Sequence, residues 1–158
     1  MNTLPSKLQR PFFIVSNLYQ QFADKLSLLT PVTLLAARCY VGWAFFSSGL
    51  TKLRDWDSTL FLFEEEYHVP ILPYELAAYL GTAGELILPV LLVLGFASRF
   101  AAFGLFFVNI VAVISLEDIA PAAYSEHLLW GVLLAQVIIL GGGRFAVDQF
   151  IKSKLKLR

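Results

Sequence analysis

The sequence predicts an all-α fold, an integral membrane four-helix bundle preceded by an N-terminal amphipathic helix at the membrane interface. The chain is 58% hydrophobic with a mean hydropathy of +0.69, whereas soluble domains are about 45–50% apolar. Its apolar residues lie in four blocks of roughly 15–23 residues, and about 20 helical residues cross the hydrocarbon core of a bilayer. Short polar stretches separate the blocks, which indicates one polytopic domain.

Residues 1–29 precede the first block, and we expect them to form an amphipathic helix lying on the membrane surface. Polar residues fill one side of this segment, and the other side carries apolar residues at helical spacing: Phe12, Val15, Tyr19, Phe22 and Leu26. A frayed tail before the first span is the alternative. Asn17 soon interrupts the apolar run that follows Arg10, so the pattern does not predict a signal peptide.

The four-span domain is predicted over residues 30–148. Thr30 and Pro31 form a favourable helix start, and the run Gly141-Gly142-Gly143 ends the last span. The predicted spans cover about residues 31–50, 74–96, 98–116 and 126–140. The fourth is short, and its alternative start lies in the region Ala120–Tyr124.

The loop over residues 52–73 is expected on the outer side of the membrane. Its aromatic, amphipathic stretch from Trp56 to Phe63 predicts a short interfacial helix, and Pro70 and Pro73 end any helix before the second span. Three adjacent glutamates stand beside His68. Such a run is more often a solvated face than a cation site, so no metal site is predicted.

Basic residues mark one side of the predicted spans. All nine of the following fall there: Lys7, Arg10, Lys25, Arg99, Arg144, Lys152, Lys154, Lys156 and Arg158. The positive-inside rule therefore places both termini in the cytoplasm of a multi-pass protein, in the bacterial inner membrane. We interpret the basic tail over residues 149–158 as a topology anchor, with contact to anionic lipid headgroups as the alternative.

Two charged residues inside predicted spans, Arg38 and Glu85, are the strongest functional signal. A charge at the bilayer centre costs about 2.5–3.5 kcal/mol, so it seldom occurs without a partner or a task. Consecutive spans run antiparallel, and we expect these two side chains to meet at similar depth. The pair would either fix the helix register, or serve as a proton relay or an anchor for the polar head of a lipophilic ligand such as a quinone.

Four further polar residues are candidates for the same site. Asn109 and Gln136 can join the polar layer from the third and fourth spans. Lys52 is expected at the outer boundary, where its stem can snorkel. His127 opens the fourth span nearby, where a histidine is more often an interfacial hydrogen bonder than a catalyst. We expect Lys52 and His127 to line the outer mouth of a ligand site.

Small residues accompany the two charged stripes. Gly42 and Gly49 follow Arg38 at helical spacing, and Gly81 and Gly84 precede Glu85. Glycine lets a neighbouring backbone approach closely in a membrane bundle. These stripes are therefore predicted to face protein rather than lipid.

Several classes of function lack support in the sequence. The net charge is zero, so nothing indicates a nucleic-acid partner, and Cys39 is the only cysteine, which excludes an internal disulfide or a thiolate metal cluster. The chain shows no haem-ligand histidine pair, phosphate-binding glycine loop or Ser-His-Asp arrangement. The catalytic residues, if the chain has any, are therefore not predicted.

Three segments resemble DoxX-family membrane proteins. The run Arg38–Leu53 resembles the family's first span, with its Arg, Gly, Gly and Lys, and Glu85–Gly95 followed by Arg99 resembles the second. The end Gly141–Asp148 is similar to the closing glycine-rich turn and Asp. The resemblance implies a four-helix inner-membrane bundle, and the family is named after a subunit of a thiosulfate:quinone oxidoreductase.

The resemblance suggests an accessory subunit of a redox system that binds a quinone-like molecule between helices, beside a membrane or periplasmic redox partner. The alternative is a non-catalytic scaffold that recruits a partner through the outer loop. The segment Glu66–Pro73 resembles a subgroup associated with biosynthesis of modified copper-binding peptides. A transport function would require an oligomer, because the chain shows no inverted repeat.

Overall fold

A computed structural model describes residues 6–155, and the side-chain surroundings of residues 13–155. These residues form seven α-helices: α1 Ser6–Ser27, α2 Thr30–Arg54, α3 Trp56–Glu65, α4 Tyr74–Leu94, α5 Ser98–Ser115, α6 Pro121–Leu140 and α7 Val147–Leu155. Within this part of the chain, the β-structure is one isolated bridge between Tyr67 and Leu116. The all-α prediction is confirmed.

The four helices α2, α4, α5 and α6 are long and apolar enough to cross a membrane. The shortest, α5, has 18 residues, which rise by about 27 Å, close to the roughly 30 Å of a hydrocarbon core. The fourth span begins at Pro121 in the first helical turn, where proline is favoured. Helix α6 thus extends five residues before the predicted span start at residue 126, into the region Ala120–Tyr124.

The bundle has an apolar outer surface and buries its few charged and polar residues within an apolar core, as expected in lipid. Its fully or nearly buried residues include Arg38, Glu85 and Asn109, while Phe103 is exposed and Trp43 is 68% exposed. In a bilayer, exposed apolar side chains meet acyl chains, whereas charged groups must find partners within the protein. This distribution supports the membrane assignment independently of helix length.

Glycines set the spacing between α2 and α4. A Cβ atom added at Gly42 would lie 2.5 Å from Val93 Cγ2, and one at Gly49 would lie 3.2 Å from Glu85 Cβ. Both helices therefore approach closely only because these positions lack side chains. Gly42 and Gly49 therefore face α4, and the contacts fix the antiparallel register of α2 and α4.

The end of the bundle that carries α3 is called here the α3 end. Asp55 caps α3, because its carboxylate accepts hydrogen bonds from Ser58 N (3.1 Å) and Ser58 Oγ (2.6 Å), and these bonds hold the pKa of Asp55 below its usual value. The predicted short helix is thus present. The loop that follows is tied to α5, since His68 N donates to Ser115 O at 2.9 Å.

The opposite end, called the α7 end, is held together by Asp148. Its carboxylate accepts hydrogen bonds from Ala97 N and Ser98 N, both at 2.8 Å, and from Ser98 Oγ at 2.7 Å. It thereby caps α5 from another helix, because Ala97 itself offers no capping side chain. Partial burial opposes ionisation of Asp148, but the bonds from Ser98 and Ala97 outweigh it and lower the pKa.

Two amphipathic helices flank the spans. On α1 the apolar residues Val15, Tyr19, Phe22 and Leu26 are all exposed, which suits a helix that rests on a membrane surface. The side chain of Phe12 lies outside the described residues, as do residues 156–158 of the predicted basic tail. Most of that tail is helical in α7.

Candidate ligand-binding cavity

The predicted Arg38–Glu85 pair does not form. Glu85 packs beside Gly49, and Arg38 lies on α2 about 16 Å further toward the α7 end, at 1.5 Å per residue. The expectation of similar depth failed because helix register, and not distance from the predicted span ends, decides which residues meet. The two charges therefore belong to different sites.

Arg38 closes the α7 end of the bundle. Its guanidinium is fully buried and donates hydrogen bonds at 3.4 Å to Leu92 O, Val93 O and Phe145 O. The first two carbonyls belong to the last turn of α4, at the negative end of the helix dipole, and Leu92 O also accepts from Gly95 N at 3.1 Å. Arg38 thus joins α2 to α4 and to the turn before α7, which is a structural task.

Glu85 pairs with Lys52. The Lys52 ammonium donates to Glu85 Oε2 at 2.6 Å and to Ser48 Oγ at 2.9 Å. The two charged side chains are 17% and 10% exposed, respectively. Lys52 therefore turns back into the bundle, whereas the sequence suggested that it would snorkel outward. The pair neutralises both charges within the membrane-spanning region, in the half nearer the α3 end.

Asn109 and His127 form a second polar pair across α5 and α6. The ring atom His127 Nδ1 lies 2.7 Å from Asn109 Oδ1, and Asn109 Nδ2 donates to His127 O at 3.0 Å. His127 also packs edge-on against Trp130, with ring centroids 4.9 Å apart. The sequence suggested a polar layer in which Asn109 and Gln136 join Arg38 and Glu85, whereas the structure pairs Asn109 with His127, which lines the cavity.

Gln136 is not part of this layer. It is half-buried on α6 and lies nine residues beyond His127, or about 13 Å along the helix axis. It lines no part of the cavity that holds the other polar groups. Within the described part of the chain its side chain makes no hydrogen bond, so its proposed role finds no support.

A cavity of about 660 Å³ occupies the half of the bundle nearer the α3 end. Its walls come from α2, α4, α5 and α6, and most of the lining is apolar. The polar exceptions include Ser48, Lys52, Glu85, Tyr67 and His127. Small-molecule sites commonly have volumes of about 300–1,000 Å³ and combine apolar walls with a few polar groups.

The cavity wall has unused hydrogen-bonding capacity. An ammonium group has three donors, and Lys52 uses two. Glu85 Oε1 accepts no hydrogen bond from the residues the structure describes. Nε1 of Trp130, another lining residue, is buried without a partner. Such buried polar groups are costly when they are unpaired. The Lys52–Glu85 pair can bind the polar head of a ligand that both donates and accepts hydrogen bonds.

Tyr67 lines the cavity at its α3 end. Burial raises the pKa of its phenol, and the charges of Glu85 and Glu66 raise it further. The hydroxyl is therefore a neutral donor and acceptor near neutral pH. The sequence does not single out Tyr67 and Trp130 as site residues, because isolated aromatic residues have no spacing signal that separates a cavity wall from a packed core.

Four membrane spans around an apolar cavity with a buried ion pair define a multi-pass helical membrane protein with an internal polar site. The profile of the DoxX family matches residues 33–118, and the chain belongs to this family. The chain is also 30% identical over 131 residues to an "Uncharacterized protein" of Haemophilus influenzae, covering 77% of this chain and 85% of that relative. No solved structure matches the chain.

Proposed function

We propose that this DoxX-family protein is an accessory subunit of a membrane redox system and binds a quinone-like lipophilic molecule inside the helix bundle. One observation carries the proposal: an apolar cavity of about 660 Å³ has the Lys52–Glu85 ion pair in its wall. An amphiphile with a small polar head and an apolar body fits a cavity whose wall is mostly apolar and carries one ion pair.

The ion pair suits both forms of a quinone. The free N–H of Lys52 can donate to a quinone carbonyl, and Glu85 Oε1 can accept from the hydroxyl of the reduced form. Because the pair is held by Ser48 at 2.9 Å, its geometry is set before a ligand binds. Arg38, which the sequence suggested as the head anchor, lies outside the cavity lining and has no part in the proposed site.

The proposal includes an orientation in the bacterial inner membrane. The α7 end would face the cytoplasm with both termini, because Lys25, Arg99, Arg144 and the lysines of α7 cluster there. The cavity would then lie in the periplasmic half of the bilayer. A periplasmic or membrane-bound redox protein is the partner that such a position favours.

Quinone binding by the purified protein in lipid nanodiscs tests the proposal. The test compares Glu85→Gln and Lys52→Met with Glu75→Gln, a matched control on the exposed face of the same helix. We expect the two cavity variants to weaken binding by about tenfold or more, since hydrogen bonds to charged groups contribute about 1.5–3 kcal/mol. Glu75→Gln should bind normally.

Correctly folded Glu85→Gln and Lys52→Met proteins that bind quinone as the parent does would overturn the proposal. Arg38→Gln provides a further contrast. Because it lies at the other end of the bundle, it should reduce stability while the folded fraction retains its affinity.

The second candidate function is a scaffold that recruits a partner through the loop of residues 52–73, as in assembly of modified copper-binding peptides. It is favoured by the exposed side chains of Phe61 and Ile71, and by the φ of +71° at Ile71, which is rare for a β-branched residue. Replacing Phe61, which lines no part of the cavity, by serine should then abolish co-purification of a partner while quinone binding persists. Unchanged co-purification would exclude this role for the loop.

A further inference from the structure

The cavity reaches the lipid-facing surface between α4 and α5. Three of its lining residues are also largely exposed on the outside of the bundle: Leu80 at 54%, Phe107 at 63% and Ile114 at 58%. A side chain that contributes to both surfaces must stand at an opening. In a bilayer this opening faces acyl chains and not water, because all three residues belong to membrane-spanning helices.

The opening is elongated. Cavity-lining residues run along α4 from Ala77 to Leu88 and along α5 as far as Gly104, so the wall on α4 extends about 16 Å at 1.5 Å per residue. Leu88 lies against the missing side chain of Gly104, since a Cβ atom there would be 2.8 Å from Leu88 Cδ1. The inner end of the cavity, beyond Glu85, is therefore a short apolar pocket beside Leu88 and Gly104, called here the channel.

The loop before α4 forms the cavity wall at the α3 end of the bundle. Val69, Pro70 and Leu72 from the loop before α4 line the cavity at its α3 end. The loop is held in place by the hydrogen bond from His68 N to Ser115 O at 2.9 Å. The loop thus forms the cavity wall on the α3 side, and the cavity opens toward the membrane between α4 and α5.

We infer that the ligand is a single-tailed amphiphile, whose head lies at the Lys52–Glu85 pair and whose hydrocarbon tail lies in the α4–α5 opening. The inference rests on the proposed function and deepens it, because it requires a tailed, isoprenoid-type quinone and access from the bilayer. The occupant follows from continuity: the polar site, the channel and the α4–α5 opening are lined as one cavity. A charged pair at the inner wall would not accommodate an acyl chain alone.

Two quinones with the same ring, one bearing an isoprenoid tail and one with no tail, provide the test. Their affinities for the protein in nanodiscs are measured and corrected for partition into protein-free nanodiscs. Leu88→Trp fills the channel, and Leu91→Trp is the matched control, because both leucines are half-buried against the same core but Leu91 lines no part of the cavity. We expect Leu88→Trp to weaken binding of the tailed quinone by about tenfold.

The same variant should bind the tail-less quinone as the parent does, and Leu91→Trp should bind both normally. A photoreactive diazirine at the end of the tail should label the cavity-lining parts of the two helices, from Gly84 to Leu88 on α4 and from Gly104 to Phe107 on α5. Labelling on the outward faces of α1 or α6, or equal corrected affinities of the parent for both quinones, would overturn the inference while leaving the proposed function standing. If neither quinone binds, both proposals fail.

If phospholipid acyl chains compete with the tailed quinone as well as unlabelled quinone does, the channel is a general lipid groove. The inference of a quinone tail would then be wrong.

Discussion

Removing one member of the Lys52–Glu85 pair should destabilise the bundle, and the effect should disappear largely when both members are removed. Glu85 is 8% exposed as a whole residue, and Lys52 contacts it at 2.6 Å. Lys52→Met leaves a carboxylate in an apolar wall. Breaking a buried ion pair in this way costs about 3–5 kcal/mol, and partial exposure to the cavity reduces the expected cost to roughly 2–4 kcal/mol.

The assay is a double-mutant cycle on the free energy of unfolding in mixed micelles. Lys52→Met and Glu85→Gln are measured alone and together, with Glu75→Gln as the control for a change of charge on α4. We expect a coupling energy of about 1–3 kcal/mol, since residues in direct contact are not additive. Arg38→Met combined with Glu85→Gln should be additive to within about 0.5 kcal/mol, because the two side chains serve different sites.

The opposite pattern would refute this reasoning. If Arg38 couples to Glu85 and Lys52 does not, then α2 and α4 pack in another register, and the cavity wall is not the one described.

Three other changes test the supports of the site. Asp148→Ala should lower stability by about 1–2 kcal/mol, because α5 loses its cap. The pKa of Asp148 is lowered in the folded state, so its stabilising effect is present above about pH 4 and is lost as the pH falls through the folded-state pKa. The stabilities of the parent and of Asp148→Ala should therefore converge in an acid titration. Parallel stability curves would contradict the cap. Gly42→Leu should prevent close packing of α2 on α4, and a folded protein with unchanged thermal stability would contradict the register. Asn109→Ala should lower quinone affinity by less than tenfold, because Asn109 only positions His127, and a larger loss measured in nanodiscs would show direct contact with the ligand.

The fold was predictable because its signals are local. Block lengths and hydropathy defined four spans, and Gly42 and Gly49 marked the face of α2 that meets another helix. Span boundaries were less accurate. Helix α6 starts at Pro121, five residues before the predicted span, and the polar residue Ser125 lies in the part that the hydropathy pattern left outside the span.

The site was only partly predictable, because the partners of its charged residues depend on helix register. Arg38 and Glu85 were correctly placed inside the bundle. However, Arg38 binds carbonyl oxygens at the end of α4, and backbone acceptors leave no trace in a sequence. Lys52 was assigned to the boundary because its stem can reach water, whereas the structure turns the same stem inward to Glu85.

The capping role of Asp148 was also outside the reach of pattern analysis. Asp148 lies 50 residues after Ser98 in the chain, and only the folded turns bring the two together. The sequence did mark the Gly-rich turn and Asp148 by family resemblance, without a role.

The central claim is that a quinone occupies the cavity beside Trp130, and tryptophan fluorescence tests it most directly. Trp43→Phe/Trp56→Phe leaves Trp130, which lines the cavity, as the single reporter. Trp56→Phe/Trp130→Phe leaves Trp43 on the lipid-facing surface as the matched control.

On titration with a tailed quinone in nanodiscs, we expect saturable quenching of Trp130 that Glu85→Gln weakens, together with weak, non-saturating quenching of Trp43. Equal, non-saturating quenching of both reporters would show that the quinone only dissolves in the lipid, and would contradict the account.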